Sequence, residues 1–156
     1  MKIINTYLAL LLLIISQNVF ANTKISHAIA MHGEPKYNED FISVEYVSNS
    51  AEKGGNIVRG AFGSYDSFHP FILKGRSVAG IMSIYDTLTT RSYDEAFTEY
   101  GLLAEKIEWP EDRSWVKYTI RDEAEWHDGK TITSDDVVWT FNTLMEKGHP
   151  GYKYYY

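Results

Sequence analysis

The sequence predicts a mixed fold of strands and helices, of the α+β type. Residues 115–120 alternate between two faces, as in a half-buried strand. Thr133 precedes a helical pattern that has an acidic first turn and an apolar stripe. Of the 156 residues, 44% are hydrophobic and 23% are charged, which are ordinary values for a folded domain. This composition argues against a wholly disordered chain.

The first 21 residues predict a secretory signal peptide. Lys2 gives a positive start, residues 7–15 are uncharged and largely apolar, and the polar residues 16–18 follow. Val19 and Ala21 stand at the −3 and −1 positions, so we expect cleavage after Ala21. A membrane anchor is the alternative, but it needs about 20 consecutive apolar residues, more than this run supplies.

Charge and cysteine content narrow the class of protein further. The net charge is −6, which argues against a nucleic-acid partner because such proteins carry a basic surface. The chain has no cysteine, so disulfides, cysteine-based zinc sites, thiol nucleophiles and lipoprotein anchors are excluded. An exported protein without disulfides fits the periplasm of a Gram-negative bacterium.

The first half of the mature chain has weak structural signals. Residues 22–54 contain several turn signals and predict a loosely organised extension with one short strand over 42–47. The apolar run 57–62, after the glycine pair at 54–55, predicts a buried strand. Residues 64–71 then form the loop at its carboxyl end.

Stronger signals follow along the chain. Spacings of three and four predict a helix over 77–87. Residues 102–109 and 115–120 flank a turn opened by proline and predict a β-hairpin. Residues 126–130 contain Asp-Gly and predict a second tight turn.

The last predicted element is a helix that begins at Thr133. The Thr133 hydroxyl can cap the helix, and Asp135 and Asp136 lie where the helix dipole favours anions. Lys147 falls in the last turn and Gly148 at the stop. The expected buried stripe is Val137, Phe141, Leu144 and Met145.

Catalytic, metal and cofactor motifs are largely absent from the sequence. Residues 55–60 have the glycine spacing of a phosphate loop but lack the lysine that neutralises phosphate. His127-Asp128 could supply half of a metal site, but a backbone-capping turn is favoured. The carboxylate pairs Asp135/Asp136 and Glu123/Glu125 lie at a helix start and on a polar loop, and nothing in the sequence indicates the burial that would raise their pKa. We therefore predict no catalytic residue, no metal and no cofactor.

The four tryptophans allow two interpretations. They could line a carbohydrate platform, but most are expected to pack in or near the core, with one or two left for a ligand wall. They are Trp109, Trp115, Trp126 and Trp139.

Several stretches together resemble the family 5 extracellular solute-binding proteins, the peptide and nickel receptors of ABC importers. Residues 101–121 and the run Trp-His-Asp-Gly-Lys-Thr-Ile-Thr-Ser-Asp-Asp-Val at 126–137 carry the most specific part of the resemblance. Residues 54–71 resemble the first strand of the family and the loop after it. Residues 32–37, His-Gly-Glu-Pro-Lys-Tyr, are similar to the subgroup linked to oligopeptide and microcin C uptake.

The resemblance implies an α/β fold of the type II periplasmic binding class. It implies a monomeric receptor that captures an oligopeptide or peptide-like ligand between two lobes and delivers it to a membrane permease, without catalysis. The loop at 63–68 would face the cleft, with Asp66 meeting a ligand amine and Tyr65 forming an aromatic wall. The alternative is a loop that only caps its own backbone. The implied ligand-binding residues are Ser64, Tyr65, Asp66, Ser67 and Phe68, and the implied scaffold residues are Trp126, His127, Asp128, Gly129, Thr133 and Asp136.

The same resemblance implies a division of the chain into four parts. They are a signal peptide at 1–21, an N-terminal extension at 22–54, the first strand and loop of lobe I at 55–76, and part of a β-rich extra domain at 77–156. Because family members are several times longer, the sequence is interpreted as a truncated N-terminal part that would not bind competently alone. Two alternatives remain open: a small periplasmic glycan hydrolase, and a non-functional remnant of a receptor gene.

Overall fold

A computed structural model describes residues 22–71 and 73–155 of the protein. The predicted signal peptide lies outside the described residues. Within them the chain forms β1 (Thr23–Ser26), β2 (Ala28–Ala30), β3 (Thr89–Arg91), β4 (Thr98–Gly101), β5 (Ala104–Pro110), β6 (Lys117–Ile120), α1 (Ser134–Lys147) and α2 (Gly151–Tyr155). The expected mixed fold is therefore confirmed.

The strands form two small antiparallel sheets. One has the order β1-β5-β6 and the other has the order β2-β4-β3. In the first sheet Thr23 lies opposite Pro110 and Ser26 lies opposite Ile107. In the second, Ala28 lies opposite Tyr100. Each central strand therefore has one partner from a distant part of the sequence and one that is close along the chain.

The start of residues 22–54 is ordered, so the expected loose organisation is wrong there. Residues 23–30 supply one strand to each sheet, with His27 between the two strands. The predicted strand over 42–47 is also wrong, because this segment is a series of turns. The sequence signal for β1 and β2 is weak since their partners lie about 70–85 residues further along.

The predicted β-hairpin is confirmed. It consists of β5 and β6 and has a register irregularity between Ala104 and Lys106. At its turn, the N–H of Arg113 donates to the carbonyl of Pro110 at 3.0 Å. The Arg113 guanidinium reaches the carbonyl of Ala30 at 3.0 Å, so the hairpin turn also holds the end of β2.

The core lies along the central strands of the two sheets. Ala104 and Ile107 on β5 are completely buried, and Trp109 is 8% exposed. In the second sheet Ala28, Tyr37 and Tyr100 form one buried cluster. Of the tryptophans, Trp109 alone is buried, so the expectation that most of the four pack inside is only partly met.

Gly101 joins the two sheets at a point where a side chain would not fit. Its N–H donates to the carbonyl of His27 at 2.8 Å. A Cβ at this position would lie 2.3 Å from the Ala104 carbonyl oxygen and 3.3 Å from that of His27. The close approach of three backbone segments therefore requires glycine.

The predicted strand over 57–62 does not form. Residues 51–62 have no regular structure, and Ile57, Val58 and Phe62 are almost fully exposed. A strand is stabilised by a hydrogen-bonded neighbour, and no described segment lies beside this one in a sheet.

The predicted helix over 77–87 is also wrong. A single 3₁₀ turn forms at Ile81–Ile84, and Gly80 before it has a φ of 83°. This left-handed conformation stops a right-handed helix from continuing through residue 80. Thr89–Arg91, just after the predicted helix, form β3.

The predicted C-terminal helix is confirmed as α1, but its expected burial is not. Thr133 caps it, Lys147 lies in its last turn, and the Gly148 N–H donates to the Leu144 carbonyl at 2.9 Å. No residue of α1 is buried, and Phe141 of the expected stripe is 44% exposed. Among the described residues, no helix is long and apolar enough to cross a membrane.

Candidate ligand-binding site

The loop at 63–68 is held in place by backbone contacts with residues 76–78. The N–H groups of Asp66 and Ser67 donate to the Arg76 carbonyl at 3.0 and 3.3 Å, and the Val78 N–H donates to the Ser67 carbonyl at 3.0 Å. The Arg76 N–H in turn donates to Asp66 Oδ1 at 2.6 Å. These bonds fix the loop, although little regular structure surrounds it.

The five side chains implied as ligand contacts fall into two groups. Asp66 and Ser67 accept backbone N–H groups that lie just outside the loop: Asp66 Oδ1 accepts that of Arg76, and Ser67 Oγ accepts that of His69 at 3.0 Å. Ser64, Tyr65 and Phe68 instead face solvent, with Tyr65 56% and Phe68 67% exposed. The Tyr65 and Phe68 rings meet edge to face, with centroids 5.4 Å apart. The loop therefore displays a small aromatic surface on a braced backbone.

A second aromatic group lies close in sequence to this loop. The ring of Phe71 meets that of Tyr85 at 5.1 Å and that of His69 at 5.9 Å. Tyr85 was not predicted as a site residue, because the sequence pattern placed it in a helix that does not form. The tertiary structure brings the rings of His69, Phe71 and Tyr85 together.

The motif at 126–130 forms a tight turn, as predicted. The Gly129 N–H donates to the Trp126 carbonyl at 2.8 Å, and the Trp126 N–H donates to the Lys130 carbonyl at 2.7 Å. The Asp128 carboxylate accepts the Lys130 N–H and the Lys130 ammonium group, the latter at 2.6 Å. The Lys130 side chain lowers the pKa of Asp128. Trp126, His127, Asp128 and Lys130 line a shallow, open depression of about 440 Å³.

The same motif is joined to the start of α1. The Thr133 N–H and hydroxyl donate to Asp136 Oδ2 at 2.8 and 2.7 Å, and the Asp136 N–H donates back to the hydroxyl at 3.4 Å. Thr133, with a smaller contribution from the Trp126 indole, lowers the pKa of Asp136. The turn and the helix thus share one carboxylate.

A polar network that sequence analysis missed holds residues 36–45 against β4. We call it the Lys36 cluster, and it consists of Lys36, Tyr37, Glu45, Ser92, Asp94, Glu95, Thr98 and Tyr100. The Lys36 ammonium lies 2.8 Å from carboxylate oxygens of both Glu45 and Asp94. Asp94 also accepts the hydroxyls of Tyr37 and Ser92.

Glu95 and Tyr100 form the buried side of this cluster. The Tyr100 hydroxyl donates to Glu95 and accepts the Tyr37 N–H at 3.2 Å. The other oxygen of Glu95 accepts the Lys36 N–H and the Thr98 hydroxyl, both at 2.9 Å. The family resemblance of residues 32–37 is the only sequence signal for this cluster. Nothing in the sequence identified Asp94 and Glu95 as the partners of these residues.

Hydrogen bonding shifts the titration of the cluster. The bond from Lys36, followed by those from Ser92 and Tyr37, holds the pKa of Asp94 well below its usual range. Burial opposes ionisation of Glu95, but bonds from Tyr100, the Lys36 N–H and Thr98 outweigh it and lower the pKa of this carboxyl. Burial and the bond to Glu95 raise the pKa of Tyr100 to about 12.

We expect the cluster to make stability depend on pH at acid values. A carboxyl whose pKa is lower in the folded than in the unfolded chain stabilises the fold above its unfolded value, about 3.9 for aspartate. That contribution disappears as pH falls through the folded value. Urea unfolding from pH 7 to pH 2 should therefore show a loss of stability at the acid end, and Asp94→Asn should make the loss shallower. Glu99→Gln, which removes an exposed ion pair with Arg91, is the matched control. If stability falls as steeply at acid pH in Asp94→Asn as in the unchanged protein, this pH dependence does not come from Asp94.

Carboxylates considered for catalysis do not converge. Asp135 and Asp136 lie in the first turn of α1, and Glu123 and Glu125 are exposed. In the part of the chain that the structure describes, no three histidine or acidic side chains are grouped as metal ligands would be.

Comparison with known proteins identifies the family. Residues 98–156 match the sequence profile of the bacterial extracellular solute-binding proteins, family 5, middle region. This chain belongs to that family. The match begins at β4 and includes the β5–β6 hairpin, the turn at 126–130 and both helices. The fold of the chain is consistent with part of a type II periplasmic binding fold.

Several relatives of this family 5 chain have names that describe binding. It is 46% identical to "Peptidoglycan-binding protein YepA" of Agrobacterium fabrum over 80% of this chain and 22% of that protein. It is 35% identical to "Probable peptide-binding protein YejA" of the same organism, over 76% of this chain and 19% of that protein. It is also 41% identical to "Uncharacterized protein YejA" of Escherichia coli, over 85% of this chain and 22% of that protein. The family 5 chain thus spans about one fifth of the length of these relatives.

Proposed function

We propose that the protein is a solute-binding component of a peptide ABC importer. It would work in the periplasm after removal of its signal peptide at Ala21, and it would bind its ligand without changing it. The family match and the 46% identity to a relative named for peptidoglycan binding carry this proposal. Since the names of two relatives refer to peptidoglycan and to peptides, we propose a cell-wall peptide as the ligand.

The loop at 63–68 is the proposed contact surface. Functional side chains are often placed on loops that a rigid backbone positions, and the bonds to Arg76 and Val78 fix this one. Tyr65 and Phe68 offer exposed rings that can pack on a ligand with little loss of side-chain freedom. Ser64 lies beside them and offers a hydroxyl.

Asp66 and Ser67 have a double role in this proposal. Their side chains accept the backbone N–H groups of Arg76 and His69 and so help to position the two rings. A carboxylate has about four acceptor positions, so Asp66 can hold the Arg76 N–H and still meet a ligand amine.

The motif at 126–136 has the proposed role of scaffold. The Asp128 carboxylate holds the turn, and the Asp136 carboxylate joins that turn to the capped start of α1. Trp126, Gly129 and Thr133 take part in the same network, whereas His127 lies at its surface. This geometry supports a structural use of the most specific part of the family motif.

Capture between two lobes and delivery to a permease are proposals for the whole receptor. The relatives are four to five times as long as the part that this chain matches. Residues 63–68 would supply one wall of the ligand cleft in such a receptor.

We expect Tyr65→Ala and Phe68→Ala each to weaken peptide binding about tenfold, since truncating an aromatic contact costs about 1–2 kcal/mol. Isothermal calorimetry on the exported protein, with a peptidoglycan-derived peptide and an unrelated peptide of equal length, would measure this. Tyr93→Ala, at a side chain that is 95% exposed outside the loop, is the matched control.

Two other outcomes would favour the alternatives. Hydrolysis of a glycan or peptide during the titration would favour a hydrolase. An absence of binding to both peptides, by a chain that unfolds cooperatively, would contradict peptide binding by this chain and favour a truncated part or remnant that does not bind alone. Equal affinities in the three variants would remove the loop from the proposed site.

A further inference from the structure

The side chain of Arg76 reaches the start of the proposed contact loop. Its backbone already braces the loop, since the carbonyl accepts the N–H groups of Asp66 and Ser67 and the N–H donates to Asp66 Oδ1. These bonds leave the guanidinium group free to make other contacts. The guanidinium extends to Gly63, where an added Cβ would lie 2.9 Å from Arg76 Nη1.

Two glycines make room for the charged side chains of this region. Any side chain at Gly63 would displace the Arg76 guanidinium. On the opposing segment, a Cβ at Gly75 would lie 2.6 Å from Asp66 Oδ1. Each charged group is therefore held close to the backbone of the other segment, at a position where only glycine permits that approach. The loop and the segment that braces it thus present one acidic and one basic group.

The Arg76 guanidinium makes no ion pair with any carboxylate in residues 22–71 and 73–155. By contrast, the guanidinium groups of Arg113 and Arg121 are bound to backbone carbonyls and hold the fold together. A guanidinium group carries five N–H donors in a planar fork and keeps its charge at every physiological pH. The donors of Arg76 are therefore available to an acceptor from outside the chain.

We propose that Arg76 binds a carboxylate group of the peptide and so selects acidic peptides over their amides. This inference rests on the proposed binding of peptides at residues 63–68. The fork of a guanidinium group matches the two oxygens of a carboxylate, which can accept two parallel hydrogen bonds. Asp66 is the proposed contact for a ligand amine, so the two residues together fit a ligand with both charges. The carboxylate can be the C-terminus of the peptide or an acidic side chain.

The exposure of Arg76 sets the expected size of the effect. Water and salt screen an exposed ion pair, so its contribution is modest even when the geometry is good. We expect a carboxylate to improve binding about fivefold over the corresponding amide, the upper end for an exposed pair.

Isothermal calorimetry with a synthetic peptidoglycan-derived tripeptide that contains one glutamate would test the proposal. The peptide is prepared in four forms, with both the terminal and the glutamate carboxylate, with either one alone, or with neither. Amidation removes each charge at almost constant size. We expect the fully amidated form to bind about fivefold more weakly than the fully ionised form. The two singly amidated forms then identify which carboxylate meets Arg76.

Three variants separate the guanidinium from the backbone that braces the loop. Arg76→Gln keeps the backbone hydrogen bonds and should bind all four forms with the affinity of the fully amidated peptide. Arg76→Lys keeps the charge without the fork and should retain part of the preference. Arg59→Gln makes the same change in charge at an exposed position outside the loop, and it should behave like the unchanged protein.

The outcomes distinguish this inference from the proposed function. Equal affinities of the unchanged protein for the four forms would overturn selection by Arg76 but leave peptide binding intact. A full preference for carboxylates in Arg76→Gln would also overturn it, because another residue would then make the contact. If the unchanged protein binds none of the four forms, the proposed peptide binding fails and this inference fails with it.

Discussion

Replacement of Ile107 by alanine is expected to destabilise the protein by about 2–5 kcal/mol, the usual cost of removing a large aliphatic side chain from a core. Ile107 is completely buried in the central strand of the first sheet, between Ser26 of β1 and Tyr118 of β6. Small domains are stable by only about 5–15 kcal/mol, so this single change removes a large share of the total.

Urea unfolding followed by tryptophan fluorescence would measure the effect. Trp109, two residues along the same strand, is buried and reports on this sheet. Ile42→Ala is the matched control, because the same substitution at an exposed position should change the stability by about 0.5 kcal/mol or less. Similar midpoints for the two variants would show that β5 is not the core of the fold.

Replacement of Tyr100 by phenylalanine is expected to cost about 1–3 kcal/mol, because it leaves buried polar groups without a partner. The change keeps the ring, which packs against the rings of Tyr37 and Phe41 with centroids 5.8 and 5.6 Å away. It removes the hydroxyl that donates to Glu95 and accepts the Tyr37 N–H. The loss therefore measures the polar part of the Lys36 cluster.

The pH dependence of this variant gives an independent check. A tyrosine whose pKa is raised to about 12 in the folded state stabilises the fold below its ordinary value near 10. The contribution is lost as pH rises from about 10 to about 12. Tyr100→Phe should remove this part of the alkaline decline, and Tyr93→Phe, at an exposed side chain, should retain it. An alkaline decline that is the same in both variants would place the titrating group elsewhere.

The proposed site could be predicted only in part from the sequence. The loop could be located from the resemblance of residues 54–71, and its five candidate side chains follow directly. The sequence did not predict which of these side chains bind backbone N–H groups and which face solvent. The loop is braced by Arg76. The helix predicted over 77–87 does not form, and Gly80, which has a left-handed conformation, interrupts it.

Local sequence signals were sufficient to predict the β5–β6 hairpin, the turn at 126–130 and both ends of α1. Each depends mainly on contacts between residues close along the chain, such as the bonds between Thr133 and Asp136. Their residue types therefore carry the structural information directly. Long-range packing instead places residues 23–30 in two sheets, brings Lys36 to Asp94 and leaves residues 57–62 outside both sheets. A strand or a lysine can be satisfied by many partners, and the choice among partners about 60–85 residues away depends on the packing of the whole chain.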